Sequence, residues 1–229
     1  MSAIVLAGGM GSRLRGDVKY PKPLLPLHGE TLLEHQIKWL RSWKFDQIIV
    51  ATSKDLYRTW KKDFPKDVEY SLETKKLGTG GAVALAIEKV DRFPIYVMNV
   101  DDLIFSEIYS PWDLFDDLKI FNTVGSLLIW YPPLPFSIVR RHGNKITGFT
   151  RNPTLKNVEI SIGHYAFSED VFSLLDLEMG DLEDELLPLL ASEGELACRI
   201  LKSGVWKTVN DVKQYQDLLK FLEKRRRKM

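Results

Sequence analysis

Residues 3–14 read A-I-V-L-A-G-G-M-G-S-R-L, and residues 21–27 read P-K-P-L-L-P-L. The apolar run before the glycines predicts a short buried strand that enters a turn. Successive backbone N–H groups in such a turn can converge on an anion, and three glycines permit its close approach. Arg13, Arg15 and Lys22 add cations suited to phosphates. The stretch therefore predicts an α/β protein with a phosphate-binding loop, although similar turns also begin α/β domains without such a ligand.

Two better-known phosphate loops do not fit this stretch. The pattern G-x-x-x-x-G-K-[ST] is absent, and Leu14 stands where a dinucleotide fingerprint needs glycine. The loop is therefore neither an ordinary P-loop nor a dinucleotide site.

The composition predicts a single globular domain spanning residues 1–229. Of these residues 45% are hydrophobic, and the formal net charge is +1, which argues against a nucleic-acid partner. The lone Cys198 cannot form an internal disulfide, and the chain does not open with a secretory signal. No apolar run approaches the ~18 residues of a membrane span. We therefore expect a cytoplasmic protein with no nucleic-acid or membrane partner, and we leave a homo-oligomer open.

The chain after the first loop alternates helix and strand patterns. A helix is expected from Thr31, followed by a buried strand at residues 48–50. A second unit runs from a strand at residues 69–71, through an alanine-rich helix ending at Val90, to a strand at residues 95–98. These two βαβ units predict a mainly parallel sheet.

The second half adds antiparallel pieces to this sheet or beside it. Ser110-Pro111 predicts the start of a helix to Lys119, and Gly143-Asn144 fits a hairpin turn. Strands are expected at residues 124–130, 137–141, 145–150 and 160–167, and helices at 168–175, 183–191 and about 212–224.

These motifs resemble those of the sugar-1-phosphate nucleotidylyltransferase family, also called nucleotide-sugar pyrophosphorylases. Besides the first loop, residues 78–82 are similar to its second nucleotide-contact loop, residues 99–101 to its metal-binding Asn-Gly-Asp, and residues 205–215 to its closing segment. The run Leu-Gly-Thr-Gly-Gly-Ala looks like that of guanylyltransferases acting on mannose- or heptose-type phosphates. The resemblance implies a three-layer Rossmann-like nucleotidyltransferase fold, with a mostly parallel central sheet and antiparallel additions.

The resemblance also implies roles for single residues. Arg13 would contact the phosphates and Lys22 would contact phosphate near the reacting centre, so both are expected to be catalytic together with Asp101. The residues expected to bind the nucleotide are Leu6, Ala7, Gly8, Gly9, Gly11, Ser12, Arg13, Glu73, Gly78 and Thr79.

The implied reaction joins two anions, because a sugar phosphate must reach the α-phosphate of a nucleoside triphosphate (NTP). Unit charges ~4 Å apart repel by roughly 1 kcal/mol in water and ~4 kcal/mol at an effective dielectric of 20, so cations are needed. Mg²⁺ is the expected cofactor, and Asp101, directly after a buried strand, is a suitable ligand. We assign the adjacent Asp102 to substrate binding together with Lys22. Without the other motifs, this acidic pair would equally fit a solvated loop or a helix cap.

The second metal ligand departs from the family pattern. The usual Trp-x-Asp reads Trp206-Lys207-Thr208 here, and threonine is a poor direct ligand. Asn210 or Asp211 would supply an oxygen instead, and each would equally fit an N-cap of the last helix.

Glu73 precedes Gly78 by five residues, about where relatives carry a residue that reads the base. A carboxylate accepts two hydrogen bonds, which complements the N1–H and N2–H₂ donors of guanine, whereas uracil and thymine offer a single ring donor. We therefore expect GTP over UTP or dTTP. The alternative interpretation of Glu73 is an exposed charge at a strand end.

The sugar-binding positions depart most from the family. Where relatives carry Phe-x-Glu-Lys-Pro, residues 149–153 read F-T-R-N-P, and Arg151 is left as a candidate to hold a phosphate. Ser161-x-Gly163 resembles the family's Asn-x-Gly, where a small residue lets a strand approach the sugar, but Gly163 would equally fit a strand bulge. The identity of the sugar is therefore not predicted.

The sequence thus predicts an enzyme that converts an NTP and a sugar 1-phosphate to an NDP-sugar and pyrophosphate. One alternative is a cytidylyl-, thymidylyl- or uridylyltransferase acting on another sugar or polyol phosphate. Another is a non-catalytic subunit that senses nucleotide or sugar on the same fold, suggested by Thr208 and the altered residues 149–153.

Overall fold

The computed structural model describes residues 1–9 and 19–227. The first half contains β1 (Ser2–Leu6), a 3₁₀ turn (Lys22–Leu24), β2 (Pro26–Leu27), β3 (Glu30–Thr31), α1 (Leu32–Ser42), β4 (Gln47–Ser53), α2 (Lys54–Thr59), β5 (Glu69–Glu73), α3 (Thr79–Ile87), β6 (Ile95–Asn99) and β7 (Asp102–Phe105). The second half contains α4 (Trp112–Phe121), β8 (Gly125–Trp130), β9 (Ile138–His142), β10 (Lys145–Thr150), β11 (Ile160–Phe167), a 3₁₀ helix (Glu169–Ser173), α5 (Leu186–Ser192), β12 (Leu196–Ile200), β13 (Val205–Thr208) and α6 (Val212–Arg226).

Seven strands form the central sheet, in the order β12-β8-β11-β6-β1-β4-β5. β1 pairs in parallel with β4 and β6, β4 with β5, and β8 with β12. β11 runs antiparallel to β6 and β8, and β9 and β10 form a separate antiparallel hairpin. The expected mostly parallel sheet with antiparallel additions is confirmed.

The side chains of β1 alternate between two buried cores, because successive residues of a strand point to opposite faces. Ala3 and Val5 belong to the core that α1, α4 and α6 cover. Ile4 and Leu6 belong to the core that α3 and α5 cover. The fold therefore has three layers, with helices on both faces of the sheet.

A helix was predicted from Thr31, and α1 begins there with a capping box. Thr31 Oγ1 accepts the N–H of Glu34 at 3.2 Å, and the Glu34 carboxylate accepts the N–H of Thr31 at 2.6 Å. Leu33, Ile37 and Leu40 are buried against the sheet. Each such side chain contributes roughly 1.5–3 kcal/mol when it is fully buried, so this stripe attaches the helix to the core.

Two helices of the second half differ from expectation. The helix expected at residues 168–175 is a shorter 3₁₀ helix, Glu169–Ser173, and the Ser168 hydroxyl bonds the Asp170 carboxylate at 3.3 Å rather than capping a backbone N–H. The next helix, α5, begins at Leu186 rather than at residue 183. Pro188 therefore lies in the first turn, where its missing N–H costs no intrahelical hydrogen bond. No helix in the described part of the chain is long and apolar enough to cross a membrane.

Several short elements were not predicted: α2, β7, β12 and β13. β7 and β13 pair as an antiparallel ladder that sets Asp102 opposite Thr208. Each strand has only four residues, so its pattern is weak and the ladder forms only when two distant segments meet. This ladder brings the closing segment to the loop that carries Asp101.

Candidate active site

A cleft of about 960 Å³ lies at the carboxyl ends of β1, β4, β5 and β6. Open parallel sheets bind their ligands at this edge. The residues that line the cleft include Leu6, Gly8, Gly9, Lys22, Thr52, Glu73, Lys76, Gly78, Thr79, Asn99, Asp101, Asp102, Asp181, Trp206, Thr208 and Asn210. The tertiary structure thus gathers predicted residues from five distant segments into one cleft.

The first loop is tied to β4 where it leaves β1. The N–H of Ala7 donates to the Ala51 carbonyl at 2.8 Å, and the Ala7 carbonyl accepts Thr52 Oγ1 at 3.1 Å. Ala7 therefore ties the start of the loop to β4, while its neighbours Leu6, Gly8 and Gly9 line the cleft. Three predicted residues, Gly11, Ser12 and Arg13, lie outside the described residues, as does Arg15.

The Lys22 ammonium bridges two oxygens that were predicted to hold a metal. Its Nζ donates to Asp101 Oδ2 at 2.8 Å and to Asn210 Oδ1 at 3.1 Å. The side chains of Lys22 and Asp101 are only 14% and 16% exposed, so water screens this ion pair less than it would a surface pair.

The same donor set fits Mg²⁺. The carboxylate of Asp101 and the amide oxygen of Asn210 converge, since one ammonium contacts both. Thr208 Oγ1 donates to Asp101 Oδ2 at 3.5 Å and accepts from Asn210 Nδ2 at 3.1 Å, which directs the amide oxygen toward the ammonium. The described residues contain no group of three or more His, Cys, Asp or Glu side chains suited to a metal. Mg²⁺ commonly uses one or two protein oxygens together with substrate phosphates, and this pair matches that pattern.

Asp102 differs sharply from its neighbour, because its carboxylate is buried and already hydrogen-bonded. Its Oδ2 accepts from Asn99 Nδ2 at 3.0 Å, and its Oδ1 accepts from Trp206 Nε1 at 3.0 Å. Burial, with a further contribution from the Asp101 charge, raises the pKa of Asp102 to about 7. Both of its oxygens thus have partners within the protein.

Gly163 lies directly against Asp102. A Cβ on Gly163 would be 2.1 Å from Asp102 Oδ2, and its φ of +70° is one that L side chains rarely adopt. The pairing of β11 with β8 shifts register between Ser161 and Tyr165, so Gly163 occupies a bulge. The glycine therefore makes room for a carboxylate of the protein itself.

Glu73 ends β5 and faces the first loop. Its Oε2 accepts the N–H of Leu77 at 3.2 Å, and a Cβ on Gly8 would be 3.0 Å from its Oε1. Burial raises the pKa of the half-buried Glu73. The side chain lines the cleft, which does not fit the alternative of an exposed charge at a strand end.

The second glycine-rich loop packs against residues 179–181, a role that the sequence did not indicate. The N–H groups that begin α3, those of Thr79, Gly80 and Gly81, donate to Asp181 Oδ1 at 2.9 Å, to the Gly180 carbonyl at 2.8 Å and to the Met179 carbonyl at 3.1 Å. A Cβ on Gly78 would be 2.6 Å from the Gly180 carbonyl oxygen. These glycines therefore allow close backbone packing, and Gly78 and Thr79 also line the cleft.

Five of the predicted residues that the structure describes are not among those that line the cleft: Ala7, Arg151, Ser161, Gly163 and Asp211. Arg151 is exposed just after the β9–β10 hairpin. Asp211 caps α6, since its Oδ1 accepts the N–H of Gln214 at 2.7 Å, which matches the N-cap alternative. Ser161 is exposed and its hydroxyl lies 3.4 Å from that of Tyr165.

The residues of the cleft for which the sequence indicated no site role include Asn99, Trp206 and Asp181. Asn99 and Trp206 bond Asp102 and lie within two of the motifs quoted above, so their positions were available as a signal. Asp181 lines the cleft and holds Thr79 across 102 residues of sequence, a contact that no local pattern reveals.

Comparisons with known proteins identify similar sequences and similar folds. Similar curated proteins include mannose-1-phosphate guanylyltransferase 1 of Arabidopsis thaliana, 26% identical over 233 residues, and mannose-1-phosphate guanyltransferase of Saccharomyces cerevisiae, 27% identical over 230 residues. Each alignment covers 94% of this chain, and the chain spans 63% of the length of each relative. The solved structure of HddC from Yersinia pseudotuberculosis superposes with a TM-score of 0.72 at 18% identity, covering 96% of this chain and 99% of that chain, and shows the same fold.

The family comparison covers nearly the whole chain. The model of the family described as nucleotidyl transferase matches residues 2–225, from the first strand to the last helix. This range contains the whole described cleft. The protein therefore belongs to the nucleotidyl transferase family.

Proposed function

We propose that this protein transfers a nucleotidyl group from an NTP, with GTP favoured, to a sugar 1-phosphate. A phosphate oxygen of the sugar 1-phosphate bonds to the α-phosphorus, the bond from that phosphorus to the β-phosphate bridging oxygen breaks, and pyrophosphate leaves with the electron pair. The observation that carries the proposal is the convergence of Lys22, Asp101 and Asn210 at the carboxyl edge of the sheet. The names of the curated relatives, which are mannose-1-phosphate guanylyltransferases, support it.

The reacting groups would be held by charge and position. Asp101 and Asn210 would hold Mg²⁺, which when bound neutralises phosphate charge. The Lys22 ammonium would contact a phosphate near the reacting centre, and we assign a second phosphate contact to Arg13. The nucleophile is already an anion, so no protein base is needed and catalysis rests on positioning and charge neutralisation.

The base would be read on the β5 side of the cleft. Glu73 would accept hydrogen bonds from guanine N1–H and N2–H₂, which lie side by side. Its carboxylate faces Gly8, so the base would lie beside the first loop. The other residues of the proposed nucleotide site are residues 6–9, Gly11, Ser12, Arg13, Gly78 and Thr79.

The remaining parts of the proposal concern the sugar and the setting. Asp102, Arg151, Ser161 and Gly163 stay as predicted substrate residues, although only Asp102 lines the cleft. We also propose a cytoplasmic location for a one-domain protein, because the lone Cys198 is an exposed thiol suited to a reducing compartment.

The test is a matrix of four NTPs against a panel of sugar 1-phosphates with Mg²⁺, read as pyrophosphate release. We expect turnover with GTP, and Asp101→Asn serves as the control for contaminating activity. A preference for UTP, dTTP or CTP would contradict the guanine assignment and favour another nucleotidylyltransferase. If no pair released pyrophosphate but calorimetry detected binding of GTP or of a sugar phosphate, the result would favour a non-catalytic subunit that senses nucleotide or sugar.

A further inference from the structure

We propose that His164 is a positioning residue that holds the loop of residues 99–102, called here the Asp101 loop, through the backbone carbonyl of Asp102. Gln36 on α1 is its partner in this role. The proposal rests on the proposed function of the cleft, because it concerns how the Asp101 carboxylate is held there.

The carbonyl oxygen of Asp102 accepts two hydrogen bonds from buried side chains. Gln36 Nε2 donates to it at 2.8 Å and also to the carbonyl of Val100 at 3.1 Å. His164 Nε2 bonds the same Asp102 oxygen at 2.9 Å. Gln36 and His164 are 2% and 1% exposed. Gln36 on α1 and His164 on β11 thus hold the backbone on both sides of Asp101.

The surroundings of His164 determine which ring nitrogen carries the proton. A carbonyl can only accept, so Nε2 is protonated in the contact with Asp102. Nδ1 then accepts from the Tyr96 hydroxyl at 2.7 Å, and the Tyr96 oxygen accepts from the Tyr109 hydroxyl at 3.0 Å. Burial lowers the pKa of His164 to about 4, which keeps the ring neutral near pH 7. This buried chain of hydrogen bonds therefore selects one tautomer.

The same strand also contacts the Asp102 side chain. Gly163 precedes His164 and lies so close to Asp102 Oδ2 that a Cβ would be 2.1 Å away. Trp206 Nε1 donates to the other carboxylate oxygen at 3.0 Å. A shift of β11 relative to the Asp101 loop would therefore change the environment of the Trp206 indole, which provides a spectroscopic reporter.

Packing alone does not require an imidazole at this position. The ring lies 5.9 Å from the Trp39 ring and 5.8 Å from the Tyr96 ring, centroid to centroid, and a leucine side chain would occupy much of this space. A leucine side chain would, however, lack the hydrogen-bond donor that His164 has at Nε2. Since a misplacement of ~1 Å can lower a catalytic rate by roughly 100-fold, we expect kcat to depend on this donor.

Three substitutions of His164 distinguish the loss of the Nε2 hydrogen-bond donor from a change in side-chain volume. His164→Gln places an amide N–H at the reach of Nε2 and keeps the bond to Asp102. His164→Asn places its amide at the reach of Nδ1, so it keeps a partner for Tyr96 and loses the bond to Asp102. His164→Leu loses both. Circular dichroism and urea unfolding of each variant show how much protein is folded, and rates are expressed per folded molecule.

The readouts are kcat and KM for pyrophosphate release, together with the ¹H–¹⁵N signal of the Trp206 indole, assigned with Trp206→Phe. For His164→Asn and His164→Leu we expect kcat to fall by about 10- to 100-fold with little change in the KM for GTP. We also expect the Trp206 indole signal to shift in both variants. For Gln we expect kcat within about 3-fold of wild type and the indole signal in place.

The proposal would be overturned if all three variants kept the wild-type kcat and an unchanged indole signal. It would also be overturned if His164→Gln lost as much kcat as the other two variants, because that result would indicate a packing requirement. If wild-type protein released no pyrophosphate, the proposed function would fail, and the indole signals would still test the link from His164 to Asp102.

Tyr96→Phe offers a second route that leaves His164 intact. It removes the donor to Nδ1, while the Asp102 carbonyl still requires a protonated Nε2, so the ¹⁵N shifts of His164 should continue to show the Nε2–H tautomer. The Nδ1–H tautomer would count against the tautomer assignment.

Discussion

Lys22 and Asp101 form an ion pair at the point where phosphate anions are proposed to react. Asn210 and Thr208 complete the contact with neutral oxygens, so the local charges of lysine and carboxylate cancel. At the scale of single residues, Asn210 thus supplies the second oxygen that the Lys22 ammonium contacts, beside the carboxylate of Asp101.

Replacement of Lys22 by methionine keeps most of the side-chain volume and removes its charge. We expect Lys22→Met to lower kcat for pyrophosphate release by about 100-fold or more, because a donor aimed at developing charge is typically worth that much. The matched control is Lys76→Met, which removes the same charge from another residue that lines the cleft. Near-normal turnover in Lys22→Met, or an equal loss in Lys76→Met, would remove Lys22 from the mechanism.

Replacement of Glu73 by glutamine tests the assignment of the base. Glutamine presents one acceptor and one donor group, so it cannot accept from both guanine donors. We expect kcat/KM for GTP to fall by roughly 10- to 100-fold relative to UTP, since one edge donor loses its partner. Glu88→Gln, at the exposed end of α3, serves as the control. An unchanged ratio of GTP to UTP would show that Glu73 does not read the base.

At the scale of elements, α3 illustrates how a helix start can be used within the protein. Helix N-termini leave unpaired N–H groups that often bind anions. Here residues 179–181 take up the N–H groups of Thr79, Gly80 and Gly81. The glycine-rich sequence therefore allows close backbone packing against residues 179–181.

This packing reverses the usual effect of a glycine-to-alanine change. In an exposed helix interior, alanine would stabilise by roughly 0.5–1 kcal/mol. A Cβ on Gly80, however, would be 2.6 Å from Met179 Cγ and 2.8 Å from the Gly180 carbonyl oxygen. We expect Gly80→Ala to destabilise the protein by about 1–3 kcal/mol, measured as the free energy of urea unfolding.

Gly148→Ala is the control for that change, because the nearest atoms to its Cβ would be at 3.8 Å. We expect its unfolding free energy to stay within about 0.5 kcal/mol of wild type. Stabilisation by Gly80→Ala would show that residues 179–181 do not pack against α3 as described.

At the scale of the whole molecule, a buried polar network links the sheet to the helices on one of its faces. Tyr96, His164 and Gln36 are each at most 2% exposed, and they connect β6, β11 and α1 to the backbone of the Asp101 loop. Groups buried this deeply make stability depend on their protonation.

The pH dependence of unfolding follows from His164. Its pKa is lowered by burial to about 4, whereas an unfolded histidine has its ordinary pKa of about 6.5. Between these values the unfolded chain binds the proton and the folded protein does not, so stability is full above about pH 6.5 and falls as the pH drops toward 4. At pH 5.5 we expect this group alone to cost about 1.4 kcal/mol relative to pH 8.

Urea unfolding at pH 8 and pH 5.5 measures this cost, and His164→Gln provides the baseline for all other titrating groups. Wild type should lose about 1.4 kcal/mol more than the variant between the two pH values. The same loss in both proteins would show that His164 is not held neutral in the folded state.

Local patterns predicted elements where the chemistry of neighbouring residues suffices. The apolar run before Gly8 predicted β1, and the stripe after Thr31 predicted α1, because burial periodicity and capping are properties of adjacent residues. Four-residue strands such as β7 and β13 were not predicted, since each forms its backbone hydrogen bonds only with its distant partner strand. The β9–β10 hairpin was predicted from its turn, but that turn could not show that Arg151 would lie away from the cleft.

The sequence by itself determined the fold class, the family and the residue types that could bind phosphate, metal and base, because these depend on motifs of consecutive residues. Only the tertiary structure decided that Asn210 meets Lys22 while Asp211 caps a helix, although the two are adjacent. It also decided that Gly163 accommodates Asp102 and that His164 bonds the backbone beside Asp101. The physical reason is that side-chain direction and close approach are determined by contacts between segments far apart in the chain.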